Sequence, residues 1–303
     1  MQLVSESLYL SESIILLLRD LIQQQTGVYY TLENCSLLAD KLADRVMEHD
    51  FNSFLDYYYL LKYDTAAQTE WQHVMDAISV QETFFYREFD QIAALVDVIV
   101  PTYFDQNPSK PLRIWSAACA TGEEPLSIAI ALQEAGWFNK MPIEIYATDA
   151  SPAAIANAQL GLYRERSFRS FPQALRDRYF EPKSDPKGDR WRIRSDIHHH
   201  ITWKRINLAR AADIQTMPPV QVVFCRNVFI YFSDDAIAQT THQLFNAMTD
   251  HSYLFIGASE SLLRLGTNFE LQQLNGAFVY VKRSCEIPGN EATNDTCNPC
   301  FNR

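Results

Sequence analysis

The stretch Ser116-Ala117-Ala118-Cys119-Ala120-Thr121-Gly122-Glu123-Glu124-Pro125 breaks an apolar strand pattern with small residues and opens an apolar helix. Before it, Leu112-Arg113-Ile114-Trp115 predicts a short buried strand; after it, Leu126, Ile128, Ala129, Ile130 and Leu132 continue as one helical face. A small-residue turn between strand and helix lets backbone approach a ligand at the carboxyl edge of a parallel sheet. A phosphate loop would place Lys, Arg or bare amides at the helix start. Here the first turn carries Glu123 and Glu124. Carboxylates repel a pyrophosphate but suit hydroxyls, an amine or a sulfonium, so the loop favours S-adenosylmethionine over NAD or ATP. The alternative is that both glutamates merely complement the helix dipole.

One βα unit later, Ile143-Glu144-Ile145-Tyr146-Ala147-Thr148 alternates as a strand and ends at Asp149. Ser151 then predicts an N-cap, with Pro152 at the first helical position. An acid at the tip of the second strand is where doubly wound folds hold ribose hydroxyls. Asp149 could instead only help the turn; the two signals at the right spacing favour the cofactor.

The 303 residues are 47% apolar and 21% charged, enough for a large core divided between two domains. No run of about eighteen uncharged apolar residues exists, and no basic region precedes an apolar block near Met1, so the expectation is a cytoplasmic protein without membrane insertion. Six scattered cysteines imply no disulfide framework. Cys297 and Cys300 have zinc-like spacing but no second ligand pair, and the run His198-His199-His200, taken as strand, would alternate between faces. No metal is expected. The net charge of −11 opposes a nucleic-acid partner held by phosphate contacts. From Met1 to Glu82 there are 4 Lys and Arg against 13 acids, whereas from Arg164 to Arg210 there are 13 against 6. A basic stretch on an acidic chain suggests an acidic partner docked there, the alternative being a solvated charged surface.

Helical apolar spacing over 8–25, 36–48, 51–62 and 66–79 predicts a small helical domain, residues 1–80. The aromatic run Thr83-Phe84-Phe85-Tyr86-Arg87-Glu88 marks a junction, and a helix from Asp90 to Val100 is expected to end at Pro101. Strands near 112, 143, 221 and 252 alternate with helices, followed by a final pair near 269 and 277. That order predicts an α/β fold, a doubly wound, mostly parallel sheet over residues 81–283. Period-two patterns at Trp191-Arg192-Ile193-Arg194 and His200-Ile201-Thr202-Trp203-Lys204 flank a Pro186-Lys187-Gly188-Asp189 turn, so a small antiparallel β insertion is expected near 180–206. The polar tail 284–303 is expected to be disordered.

A third cluster, Phe224-Cys225-Arg226-Asn227-Val228-Phe229-Ile230-Tyr231-Phe232, is a strand ending in polar residues at the sheet's carboxyl edge. With the aromatic run from Thr83 to Glu88, the loop from Ser116 to Glu124, Asn207-Leu208 and Gly257-Ala258-Ser259-Glu260, it closely resembles the CheR family of chemotaxis receptor methyltransferases over residues about 10–283. The resemblance implies a Rossmann-like methyltransferase that moves a methyl group from S-adenosylmethionine to glutamate side chains on the cytoplasmic helical region of chemoreceptors. The products are glutamate methyl esters and S-adenosylhomocysteine, and the enzyme is expected to be a monomer. The family's cofactor positions fall on Gln81, Thr83, Arg87, Glu123, Asp149, Asn207, Leu208, Arg226 and Asn227. Gln81 stands where the family has Asn, and the helical domain is acidic where enteric members have a basic one.

Methyl transfer to a carboxylate needs no strong general base, because a glutamate with a pKa of about 4.3 is already ionised. Catalysis then rests on orientation and on removing water. A desolvated carboxylate needs a donor to stay charged, and by resemblance and chemistry the candidates are Arg87, with its planar fork, and Tyr231. Tyr231 could equally be a core aromatic. Two other functions fit the sequence: a non-catalytic S-adenosylmethionine-binding signalling module, and a methyltransferase for a small carboxylate, which would need neither the helical domain nor the insertion.

Overall fold

A computed structural model describes residues 11–65, 67–185 and 188–283. The cysteines Cys285, Cys297 and Cys300 and the predicted tail lie outside them, as do Pro186 and Lys187 of the predicted turn. Four helices open the chain: α1 Glu12–Thr26, α2 Cys35–Glu48, α3 Phe54–Tyr63 and α4 Ala67–Ile78. Each turns one apolar stripe inward, and Leu18, Ile22, Leu38, Leu42, Val46, Tyr57 and Val74 close a separate core. The Ser11 hydroxyl caps α1 at one end. Gly27 ends it in the left-handed region at φ 78°, where a Cβ would come within 2.8 Å of the Phe232 ring. The helical domain therefore meets the rest of the chain at a glycine.

The second domain is a sheet of seven strands in the order β6-β2-β1-β7-β8-β10-β9. The strands are β1 Leu112–Ala117, β2 Ile143–Asp149, β6 Ile201–Arg205, β7 Val220–Phe224, β8 Met248–Phe255, β9 Glu270–Leu274 and β10 Ala277–Lys282. The first five in that order run parallel; β10 is antiparallel to both β8 and β9. The chain winds from β1 outward through β2 to β6, then returns to β7 on the other side of β1. The reversal between β1 and β7 leaves a crevice at their carboxyl ends, where doubly wound sheets take ligands.

Three expectations need correction. Ile201–Arg205 does not belong to the antiparallel insertion but pairs parallel with β2 at the edge of the main sheet. The small sheet is β3 Leu162–Tyr163, β4 Phe180–Asp185 and β5 Gly188–Ile193, ordered β3-β5-β4. Pro101 does not end a helix. A π turn, Leu95–Ile99, carries the helix without a break from α5 Phe89–Ala94 into α6 Val100–Gln106, and Pro101, which has no N–H to donate, follows directly on that wider turn. The three histidines are not on a strand: His198 ends a short helix from Ser195, with Nε2 3.0 Å from the Ala158 carbonyl oxygen, and His200 stacks on Phe138. No group of residues that could hold a metal occurs among the described residues, and none of the described helices is long and apolar enough to cross a membrane.

Candidate active site

Three segments converge at the β1/β7 crevice. The first is the turn after β1. Gly122 adopts φ 95°, and a Cβ there would meet Trp203 at 2.8 Å, so the turn tolerates no side chain at that point. Ala118 and Ala120 also take positive φ. The Ala120 amide donates to Asp149 Oδ2 at 2.9 Å and the Ser151 amide to Asp149 Oδ1 at 2.9 Å, tying the turn to the tip of β2. Burial pushes the Asp149 carboxyl up, while these amides favour its charged form. Ser151 caps α8 Pro152–Leu160, with Pro152 in its first turn.

The second segment is the aromatic run. Phe85 is fully buried in a ring cluster with Tyr163, Phe168, Phe171 and Phe180, and its amide donates to the Ser167 carbonyl at 2.8 Å. This anchors the run against the small sheet. Tyr86 and Glu88 then take positive φ, and the Tyr86 amide donates to Ser127 Oγ at 3.0 Å. Arg87 between them donates from Nη1 to the Glu82 carbonyl at 3.0 Å and sits over the Phe84 ring at 5.6 Å.

The third segment follows β7. Asn227 sits at φ 57°, its amide held by Glu260 Oε2 at 2.9 Å, and Glu260 also accepts the amides of Ile230 and Gly257. Five of the eight non-glycine residues with positive φ among the described residues thus lie in these three segments, a concentration of local strain expected of a binding site.

Arg226 makes the sharpest electrostatic feature. Its side chain is 2% exposed, with Nε 3.4 Å from Glu124 and 3.7 Å from Glu88. Nη2 donates to the Arg87 carbonyl. Neither ion pair is aligned as a hydrogen bond, and Nε and Nη1 have no hydrogen-bond partner among the described residues. Glu124 accepts from Ser116 Oγ at 2.6 Å; burial raises its carboxyl, and Arg226 and Ser116 pull it back. The result is a buried cation, two of whose donors lack a hydrogen-bond partner among the described residues, beside a buried acid.

Two joined hollows occupy the crevice. A narrow cleft of about 50 Å³ is lined by Thr83, Arg87, Cys119, Glu124, Arg226 and Asn227. A larger cavity of about 440 Å³ holds Gln81, Asp149, Asn207, Leu208, Asn227 and Tyr231, and its outer wall comes from the helical domain through Val28, Tyr29, Leu37 and Lys41. They meet at Val80, Ala118, Ala120 and Asn227. The Tyr29 amide donates to the Tyr231 carbonyl at 2.8 Å, and Asn207 Nδ2 donates to the Gln25 carbonyl at 2.8 Å, so the helical domain is stitched across the cavity.

Nine of the ten residues named from the sequence border these hollows. Glu123 does not. It is buried with Oε2 accepting from Thr121 and Oε1 from Ser167, and it faces a third cavity on the other side of Thr83. Successive residues of a helix diverge by about 100°, so only one of the glutamates can face the crevice, and that one is Glu124. Arg87 and Tyr231 border different hollows, Tyr231 within a short 3₁₀ turn, Phe229–Tyr231. The sequence reading also missed Glu88, Glu260 and the wall from Val28 to Lys41. Glu88 and Glu260 stand inside quoted motifs, but nothing in the sequence points Val28 or Lys41 at a cavity whose other walls come from the strand ends of the second domain.

The hollows fit S-adenosylmethionine. The larger volume is within the usual range for a small-molecule site. The open donors of Arg226 and the carboxylate of Glu124 match a ligand that bears both an anion and a cation.

Comparison with known families gives two matches. Residues 15–79 match the CheR methyltransferase all-alpha domain, and residues 81–278 match the CheR methyltransferase SAM binding domain. The chain is 29% identical over 266 residues to chemotaxis protein methyltransferase 2 of Vibrio cholerae, covering 87% of this chain and 91% of that one. It is 32% identical over 214 residues to chemotaxis protein methyltransferase Cher2 of Pseudomonas putida, covering 69% and 76%. Against the chemotaxis protein methyltransferase of Escherichia coli it is 27% identical over 270 residues, covering 89% and 91%.

Proposed function

The chain belongs to the CheR methyltransferase family and is an S-adenosylmethionine-dependent methyltransferase, and on that premise we propose that it methylates glutamate side chains on the cytoplasmic helical region of chemoreceptors. The carrying observation is the buried Arg226, with two donors that lack hydrogen-bond partners among the described residues, beside Glu124 in the narrow cleft that adjoins a cavity large enough for the cofactor. When bound, the cofactor supplies an electrophilic methyl group on a sulfonium. Asp149 would accept from its ribose, Arg226 would hold its carboxylate and Glu124 its ammonium, and Gln81, Thr83, Asn207, Leu208 and Asn227 would complete the walls. Glu123 supports the loop from behind through Thr121 and Ser167.

The nucleophile is a glutamate carboxylate, already ionised at neutral pH. Arg87 holds it by the planar fork, and Tyr231 walls off water from the side of the larger cavity. The proposed site of action is the cytoplasm, where those receptor helices lie. Incubation with receptor-bearing membranes and methyl-tritiated cofactor should yield base-labile label on the receptor. Arg87→Lys should stay folded and bind cofactor but lose turnover by about a hundredfold. Absence of base-labile label with the intact enzyme, or near-normal turnover of Arg87→Lys on saturating receptor, would overturn the reading or the role of Arg87, respectively.

A further inference from the structure

Across Thr83 from the crevice, a polar cavity of about 320 Å³ opens between the aromatic run, the start of α7 Glu123–Glu134 and the small sheet. Arg164, Arg166, Arg169 and Arg190 line it, against Glu82 and Glu123. These charges are unequally available. Glu82 is paired with Arg169 at 2.7 Å. Glu123 is 3% exposed, and its two carboxylate oxygens are taken up by the Thr121 and Ser167 hydroxyls. Glu165, which separates Arg164 from Arg166 in sequence, is drawn off by Arg176 at 2.6 Å and by the Trp191 indole at 2.9 Å.

Arg164 and Arg166 are therefore left exposed at the cavity, and neither makes an ion pair or a side-chain hydrogen bond among the described residues. On a chain of net charge −11, two open guanidinium groups at a concave polar surface are a local inversion of sign. The cavity shares Glu82 and Thr83 with the narrow cleft and Gln81 with the larger one. An occupant here sits next to whatever reacts in the crevice.

Resting on the receptor-methylation reading, we propose that this cavity is a specificity subsite that receives an acidic side chain of the substrate helix, near the glutamate being methylated. Residues one or two turns apart on a helix are about 5–11 Å apart along its axis, so one rigid substrate helix can present a nucleophile to the cleft and a second carboxylate to Arg164 and Arg166. Arg194, by contrast, is paired with Asp196 at 2.9 Å and is not part of this cavity.

The test uses two receptor-helix peptides with the same methyl-accepting glutamate, one flanked by glutamates and one by glutamines. Binding is read by fluorescence anisotropy at low salt, and methyl transfer is read separately. The intact enzyme should bind the acid-flanked peptide about tenfold more tightly and with a correspondingly lower KM. Arg164→Gln/Arg166→Gln should lose that preference, with cofactor affinity and saturated turnover unchanged; Arg164→Lys/Arg166→Lys should keep much of it. Equal preference in the intact enzyme and the glutamine variant overturns the subsite, as does inorganic pyrophosphate binding that depends on these arginines while the peptide preference does not. An intact enzyme that methylates neither peptide, nor full receptors, overturns the receptor reading instead.

Discussion

In the helical domain, the Glu70 side chain is 5% exposed and its carboxylate is fully engaged: Arg45 donates at 2.9 and 2.7 Å, Tyr57 at 2.6 Å, and His49 Nε2 lies at 2.9 Å. At the crevice, Arg226 is at least as deeply buried between Glu124 and Glu88, yet its Nε and Nη1 have no hydrogen-bond partner among the described residues. Both regions take charge out of water, which costs several kcal/mol per ion unless partners replace the lost hydration. The first network closes on itself and joins α2, α3 and α4. The second stops short, and in the proposed reading a charged ligand brings the missing partner. A buried charge that is satisfied holds a fold together; one left open marks where the fold expects a ligand.

Substitutions in the two networks should therefore fail in different assays. The largest effect belongs to Glu70→Leu, which leaves Arg45 and the Tyr57 hydroxyl without their buried acceptor. Urea unfolding should show a loss of about 3–5 kcal/mol, while cofactor affinity in the folded fraction stays unchanged. A change in cofactor affinity with no loss of stability would erase the distinction.

Acid should dissolve the same network. Burial alone would raise the Glu70 carboxyl, but the hydrogen bonds from Arg45, Tyr57 and His49 outweigh it and hold it at about 2. A folded-state pKa below the unfolded one gives stability that is present above the unfolded value and lost as pH falls through the folded one. The loss should span pH about 4.5 to 2 and amount to on the order of 3 kcal/mol. Glu70→Leu should flatten that part of the stability profile, and an unchanged slope in urea titrations between those pH values would contradict the assignment.

Arg226→Gln should invert the pattern. Removing a charged donor from a ligand group costs about 1.5–3 kcal/mol, so calorimetry should show S-adenosylmethionine affinity falling by ten- to a hundredfold. Circular dichroism should show the fold intact. Asp149→Ala should have the smallest effect on the ligand, roughly a tenfold loss of affinity, because the amides of Ala120 and Ser151 already share its carboxylate. Unchanged affinity in either variant would remove that residue from the cofactor site.

The chain alone determined the α/β class, the helical domain ahead of it, the turn after β1 and the acid at the tip of β2, because each is a local pattern. Apolar spacing, caps and small-residue turns act over a few residues, and the motifs quoted along the chain carry the family resemblance. Tertiary structure decided the rest. A period-two run such as Ile201–Arg205 suits a hairpin or a parallel edge equally, and only pairing with β2 chose between them. Glu123 and Glu124 are equivalent as letters, but the rotation of one helical step sends the first toward Ser167 and the second toward Arg226. The open donors of Arg226, the wall supplied by Val28 to Lys41 and the freedom of Arg164 and Arg166 arise from contacts between segments far apart in sequence. Burial and partner geometry are properties of those contacts and appear only once the chain has folded.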